Sequence, residues 1–131
     1  MSDGLAGWHR FIESRDSGVL MAALHPDAVF ESPVVHTPQQ GRGITAMYLM
    51  GAAQVLGNDT FRYVGEWRAE RSAVLEFACE VDGLTVNGVD MIWWDEAGLI
   101  TRFKVMVRPM KALLKVKERM MAMLEQLTPK S

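Results

Sequence analysis

The chain has 131 residues, 49% hydrophobic and 23% charged, the balance of a globular protein that buries one sizeable core and is too short for two. Fourteen Lys and Arg face sixteen Asp and Glu, a net charge of -2, and the basic residues are spread apart from a loose cluster over Lys104–Arg119. Nucleic acid is therefore not an expected partner, since phosphate binding needs a concentrated basic surface. Cys79 stands alone and excludes an internal disulfide, the start Met-Ser-Asp-Gly-Leu lacks a basic segment followed by an apolar one, and no apolar run approaches the roughly 18 residues of a membrane span. A cytoplasmic chain forming one domain over residues 1–131 is expected.

Leu5, Trp8, Phe11 and Ile12 recur at helical spacing and predict a short helix to Ser14. Asp16 and Ser17 then offer an N-cap for a second one through Val19, Leu20, Met21, Ala23 and Leu24, stopped by His25-Pro26. Val29–Ser32 alternates apolar and polar and predicts a strand running into the loop Val34–Gly43. A third helix is expected over Ile44–Leu56, closed by Gly57-Asn58-Asp59. Phe61–Glu70, Ala73–Val81, Leu84–Trp94 and Leu99–Val107 are β-rich runs divided by short turn signals, which predicts an antiparallel meander of long, bent strands with Gly65 and Gly88 available for bulges. Met110–Leu127 returns to helical spacing after Pro109, and only Thr128–Ser131 reads as a frayed end.

The stretch from Leu24-His25-Pro26-Asp27-Ala28-Val29-Phe30 to Pro33 resembles a phrase of the NTF2-like superfamily, which includes SnoaL-like cyclases, ketosteroid isomerases and limonene epoxide hydrolases. Gly41-Arg42-Gly43-Ile44 resembles its approach to the third helix, and Val89–Ile100 is similar to its last hairpin. The resemblance spans residues 5–108. It implies an α+β, cone-shaped (cystatin-like) fold, in which a curved, mostly antiparallel sheet packs with N-terminal helices around a pocket; the final helix here is extra. It also implies a homodimer through the outer sheet face, where Met91, Trp93 and Met106 form an apolar patch.

Asp90, mid-strand among apolar residues, occupies the position that resembles the oxyanion-binding Asp of the isomerases. Desolvation there favours the neutral acid, whose O–H can donate to a substrate carbonyl. The other reading is an Asp bonded to a neighbouring hydroxyl, backbone group or water, or facing solvent at a bulge. The isomerases' catalytic Asp before the proline is replaced here by Ser32, and the tyrosine of their first helix by Trp8 or Phe11, so neither supplies the expected group. Glu31 is no substitute, because adjacent strand residues face opposite sides. The epoxide hydrolases' second carboxylate is also missing, with Phe103-Lys104-Val105 in place of their last-strand motif. His36, in the Val34–Pro38 stretch, is a candidate base or donor overhanging the pocket, or else an exposed loop histidine.

Trp8, Phe11, Phe30, Met47 and Ser32 from the first half, with Phe77, Ile92, Trp94 and Phe103 from the strands, are the expected walls of a pocket for an apolar small molecule, or alternatively plain core. No metal-ligand spacing is present and no cofactor is expected. Two functions remain open: an acid/base isomerase or cyclase acting on a carbonyl-bearing hydrophobic substrate, and a non-catalytic binding or structural dimer module.

Overall fold

The structure, a computed structural model, describes residues 3–127, so the expectation for residues 128–131 lies outside the described part. The elements follow in the order α1 (Gly4–Ser14), α2 (Ser17–Ala23), β1 (Leu24–Glu31), β2 (Gln39–Gln40), α3 (Arg42–Leu56), β3 (Arg62–Arg68), β4 (Ser72–Val81), β5 (Leu84–Trp94), β6 (Ile100–Arg108) and α4 (Met110–Leu127). Asp3 starts α1, its carboxylate accepting the Leu5 amide at 2.9 Å, and Asp16 caps α2 by accepting from Gly18 at 2.7 Å. Leu5, Trp8 and Phe11 form the buried stripe of α1. Arg15 closes the helix in the left-handed region at φ 57, and its guanidinium donates to the carbonyls of Ala53 and Gly57, which ties α1 to the end of α3.

The six strands form one mixed sheet in the order β2-β1-β6-β5-β4-β3. β3 to β6 make the expected antiparallel meander, while β1 lies parallel to β6. The β4–β5 hairpin turns through Asp82 at φ 50 and Gly83 at φ 80, both in the left-handed region that a tight hairpin requires.

Three local features depart from the sequence reading. Leu24 belongs to β1 instead of α2, and the strand starts irregularly: Leu24 pairs with Ile100 but Val29 with Arg102, so the segment around Pro26 is looped out of the ladder. Pro26 has no amide to contribute, and His25 Nδ1 accepts the Asp27 amide to close a local turn instead. The two-residue β2, too short to show alternation, pairs with Val29 and Phe30 inside the predicted loop. Gly65 does sit at a register shift, but Gly88 does not. Around it the strand pairs in step on both sides, and the glycine serves close packing, since a Cβ there would lie 2.5 Å from both Phe77 Cζ and the Met106 carbonyl oxygen.

A further shift, between Trp93 and Trp94 on β5, brings the β6 residues Ile100 and Phe103 onto one face although they are three positions apart. Bulges of this kind bend a strand and increase its twist, which curves the sheet around its concave side. That side carries the alternating buried rows of β4 and β5, including Leu75, Phe77, Val86 and Ile92, and packs against the apolar faces of α1 and α3. Each such large side chain contributes roughly 1.5–3 kcal/mol when buried. α4 closes over α3, with Met120, Met123 and Leu124 around Gly51.

The replacement Gly88→Ala is expected to destabilise the fold by about 1–3 kcal/mol, because the new methyl must displace the Phe77 ring or the β6 backbone. A urea midpoint equal to that of the parent protein would contradict this account of Gly88.

Candidate functional site

Alternation along β5 places Asp90 in the inward row Val86-Gly88-Asp90-Ile92-Trp94, so the carboxyl enters the concave side. Register puts it beside Leu75 on β4 and Val105 on β6. On β3, Tyr63 pairs with Phe77 just before the Gly65 shift, and its ring also points inward. The two meet across the intervening strand: the Tyr63 hydroxyl donates to Asp90 Oδ2 at 2.6 Å. From α1, the Trp8 indole N–H donates to that hydroxyl at 2.9 Å. Helix, edge strand and central strand are thus joined by one polar chain.

The surroundings are apolar and aromatic. The Trp8 ring lies 4.6 Å from that of Phe103, and Phe61 meets Tyr63 edge-on at 5.1 Å while stacking on Phe77 at 5.4 Å. Burial pushes the Asp90 carboxyl up to about 7, opposed by the Tyr63 hydrogen bond. The Tyr63 phenol is driven well above its ordinary value, first by burial and then by Asp90, so it remains a proton donor across the accessible pH range.

Two cavities meet here. The inner one, of about 30 Å³, is lined by Trp8, Phe61, Tyr63, Phe77, Asp90 and Phe103, among others. The outer one, of about 320 Å³, lies between α3, α4 and the segment after β1, with Phe30, Ser32, Tyr48 and Met120 in its wall. Ala52, Leu56 and Val105 border both, so the two cavities share a wall. The inner space suits about one water molecule, and the outer is of the size that holds a small organic ligand.

Of the residues singled out from the sequence, Trp8, Phe77, Asp90 and Phe103 border the inner cavity and Phe30 and Ser32 the outer. Phe11, Ile92 and Trp94 are buried but border neither, and Met47 is half-buried on α3, also bordering neither. His36 is exposed on its loop, next to Val35 of the outer wall, and borders neither cavity. Ser32 is engaged locally, its Oγ accepting from the amides of Val34 at 3.0 Å and Val35 at 3.3 Å.

The phenol sought on the first helix comes from β3 instead. Tyr63 was legible as an inward position of a β run, but its pairing with Asp90 depends on a register that alternation does not reveal. Tyr48 and the α4 residues Val116, Lys117 and Leu124 are likewise cavity residues without an advance signal.

The outer sheet face is not bare. Glu31 pairs with Arg102 and, at 3.3 Å, with Lys104, which holds its carboxyl below the usual range; Arg102 also lies 4.5 Å over the Trp93 ring. Met106 on the same face is half exposed. Among the described residues no group of three His, Cys, Asp or Glu is placed to hold a metal ion, and no helix is long and apolar enough to cross a membrane.

Asp90 makes stability depend on pH in a direction opposite to that of a salt-bridged carboxylate. Its folded pKa lies above the unfolded value near 4, so the stabilising contribution is complete below that value and is lost as pH rises through about 7. Asp90→Asn, which keeps an acceptor for Tyr63, is expected to remove this slope and to exceed the parent's stability at pH 8 by up to roughly 4 kcal/mol. Urea unfolding at pH 5 and pH 8 checks this; equal slopes in the two proteins would contradict it.

No family model and no curated protein matches the chain. Solved structures do. A steroid delta-isomerase from Pseudomonas aeruginosa is 40% identical with a TM-score of 0.88, over 95% of this chain and 90% of that one. A protein with a cystatin-like fold from Silicibacter pomeroyi is 31% identical with a TM-score of 0.83, over 93% and 85%. The epoxide hydrolase/cyclase-like enzyme SalBIII, 19% identical with a TM-score of 0.65 over 82% and 89%, shares the fold, as do NTF2-like proteins. Strand order, the enclosed concave face and these identities lead to one conclusion: the chain belongs to the NTF2-like superfamily.

Proposed function

We propose that the chain binds a hydrophobic, carbonyl-bearing small molecule in the two adjoining cavities and acts on it as an acid/base isomerase or cyclase. The observation that carries this reading is a buried carboxyl, Asp90, held by Tyr63 inside otherwise apolar walls. With a pKa near 7, a large share of Asp90 is the neutral acid at neutral pH, able to donate a hydrogen bond to a carbonyl oxygen. That bond strengthens as negative charge develops on the oxygen during enolisation, in which the α-proton passes to water in the cavity and water returns a proton at the γ-carbon, and this is the condition for catalysis as opposed to mere binding. Tyr63, fixed in turn by Trp8, orients the carboxyl. The 40% identity to a steroid delta-isomerase supports a double-bond shift beside a carbonyl; the likeness to SalBIII, at 19% identity, is one of fold. His36 has no part in this reading.

A second reading, non-catalytic binding, is favoured by one specific observation. Among the described residues Asp90 is the sole carboxyl bordering either cavity, and the Ser32 hydroxyl accepts from the Val34 and Val35 amides, so they set no second carboxylate base opposite it.

Incubation with a β,γ-unsaturated ketosteroid, followed by the absorbance of the conjugated enone, separates the two. Under the first reading the parent protein turns over, its rate falls as pH rises through about 7, Asp90→Asn lowers kcat by about 100-fold or more, and Tyr63→Phe by about tenfold. Steroid binding without turnover in the parent establishes the second reading and removes the first.

The outer-face dimer belongs to the same proposal. Met106→Glu, which sets a charge in the apolar patch, is expected to shift the protein from dimer to monomer in sedimentation velocity; a parent protein already monomeric at micromolar concentration refutes it.

A further inference from the structure

The outer cavity is apolar except at its rim. Phe30, Val105 and Val116 are buried in its wall, while Val35, Lys117 and Met121 are exposed and mark where it opens. Among the described residues Lys117 is the one charged residue bordering it. Side chains three and four positions away on a helix are the ones within reach, and for Lys117 these are Leu113, Leu114, Met120 and Met121, none able to pair with an ammonium. Among the described residues no ion pair or hydrogen bond engages its Nζ. Its neighbours differ: Lys115 lies 3.1 Å from Glu118 and 3.8 Å from Asp82, and Arg119 lies 4.0 Å from Asp82. Tyr48 adds a second group of the same kind, stacked on Phe30 at 5.3 Å with no hydrogen-bond partner for its hydroxyl among the described residues.

We infer that the ligand of this cavity is an amphiphile, with its apolar body in the outer cavity, its carbonyl directed toward Asp90 and an anionic oxygen group at the rim beside Lys117. The inference rests on the cavity being a ligand site, as proposed above, and adds the charge that the ligand carries. An exposed ammonium whose helix neighbours at three and four positions are Leu and Met gains more from an anion than one already shared among carboxylates. The apolar wall also holds the anion's own body in place, so the pair forms without ordering a second flexible chain. The ordinary alternative is a lysine that lays its methylene stem along apolar surface and leaves its head in water.

Two fluorescent probes with one aromatic frame distinguish these: 1-anilinonaphthalene-8-sulfonate, which carries an anion, and N-phenyl-1-naphthylamine, which carries none. The parent protein is expected to bind the sulfonate about three- to tenfold more tightly, with the difference shrinking at high salt. Lys117→Met, which keeps the apolar stem, is expected to make the two affinities equal by weakening the sulfonate alone. Ala52→Phe, which sets a large ring into the wall that both cavities share, is expected to weaken both. Equal affinities in the parent, or a preference that survives Lys117→Met, overturn the anion assignment while leaving the cavity as a ligand site. Binding unaffected by Ala52→Phe lies elsewhere and overturns it as well. If neither probe binds, the ligand-site reading falls and takes this inference with it.

Discussion

A carboxyl removed from water needs a partner or a proton; Asp90 has the first, and its burial favours the second. Its burial opposite Leu75 and Val105 would be strongly unfavourable for a lone carboxylate, yet the Tyr63 hydroxyl meets one oxygen and a raised pKa lets the group become neutral. Tyr63 is itself held by Trp8, so the satisfaction of one central-strand residue depends on an edge strand and on the first helix. The positions of α1, β3 and β5 relative to one another are therefore coupled to a single chain of two hydrogen bonds. A partly satisfied buried network would be worse than an apolar one, which makes the complete chain a constraint on the whole concave side.

The sheet supports that chain through its irregularities. The shift near Gly65 follows directly on Tyr63, and the one between Trp93 and Trp94 lets Ile100 and Phe103 both face inward. Without the second, strict alternation would send either Ile100 or Phe103 to the outer face. Gly88 contributes differently: by lacking a side chain next to Asp90 it admits the Phe77 ring, which forms part of the apolar wall around the carboxyl. Outside, Glu31 and Arg102 occupy the opposite parity of their strands, which is why Glu31 meets cations and not the cavity.

The third helix and the last one create the larger space. α3 gives small residues, Ala52 among them, toward the interior, and α4 sets Val116, Met120 and Leu124 across the opening. Methionine side chains adapt to what they touch, so a wall built partly from them can change its outline. Asp90 and the larger space thus lie in adjoining places, with Asp90 at the smaller cavity and apolar walls around the larger one.

Sequence by itself determined the elements, because their signals are local: the helical stripe of Leu5, Trp8 and Phe11, the alternation of Ser72–Val81 and Leu84–Trp94, and the Asp82-Gly83 turn each arise within a few residues. It also made Asp90 stand out, as a charge inside an apolar strand. Where pairing overrides local pattern it was silent, as at Leu24, which continues a helical period yet belongs to the sheet, and at Gln39 and Gln40, whose strand exists only through β1. Only the tertiary structure decided which inward residues meet. Tyr63 and Asp90 are 27 positions apart with β4 between them, and hydrogen-bonding distance depends on the register and curvature of three strands at once. Periodicity reports which face a side chain takes, whereas contact across a curved sheet is set by how neighbouring strands slide and bend, and that information lies in the packed whole.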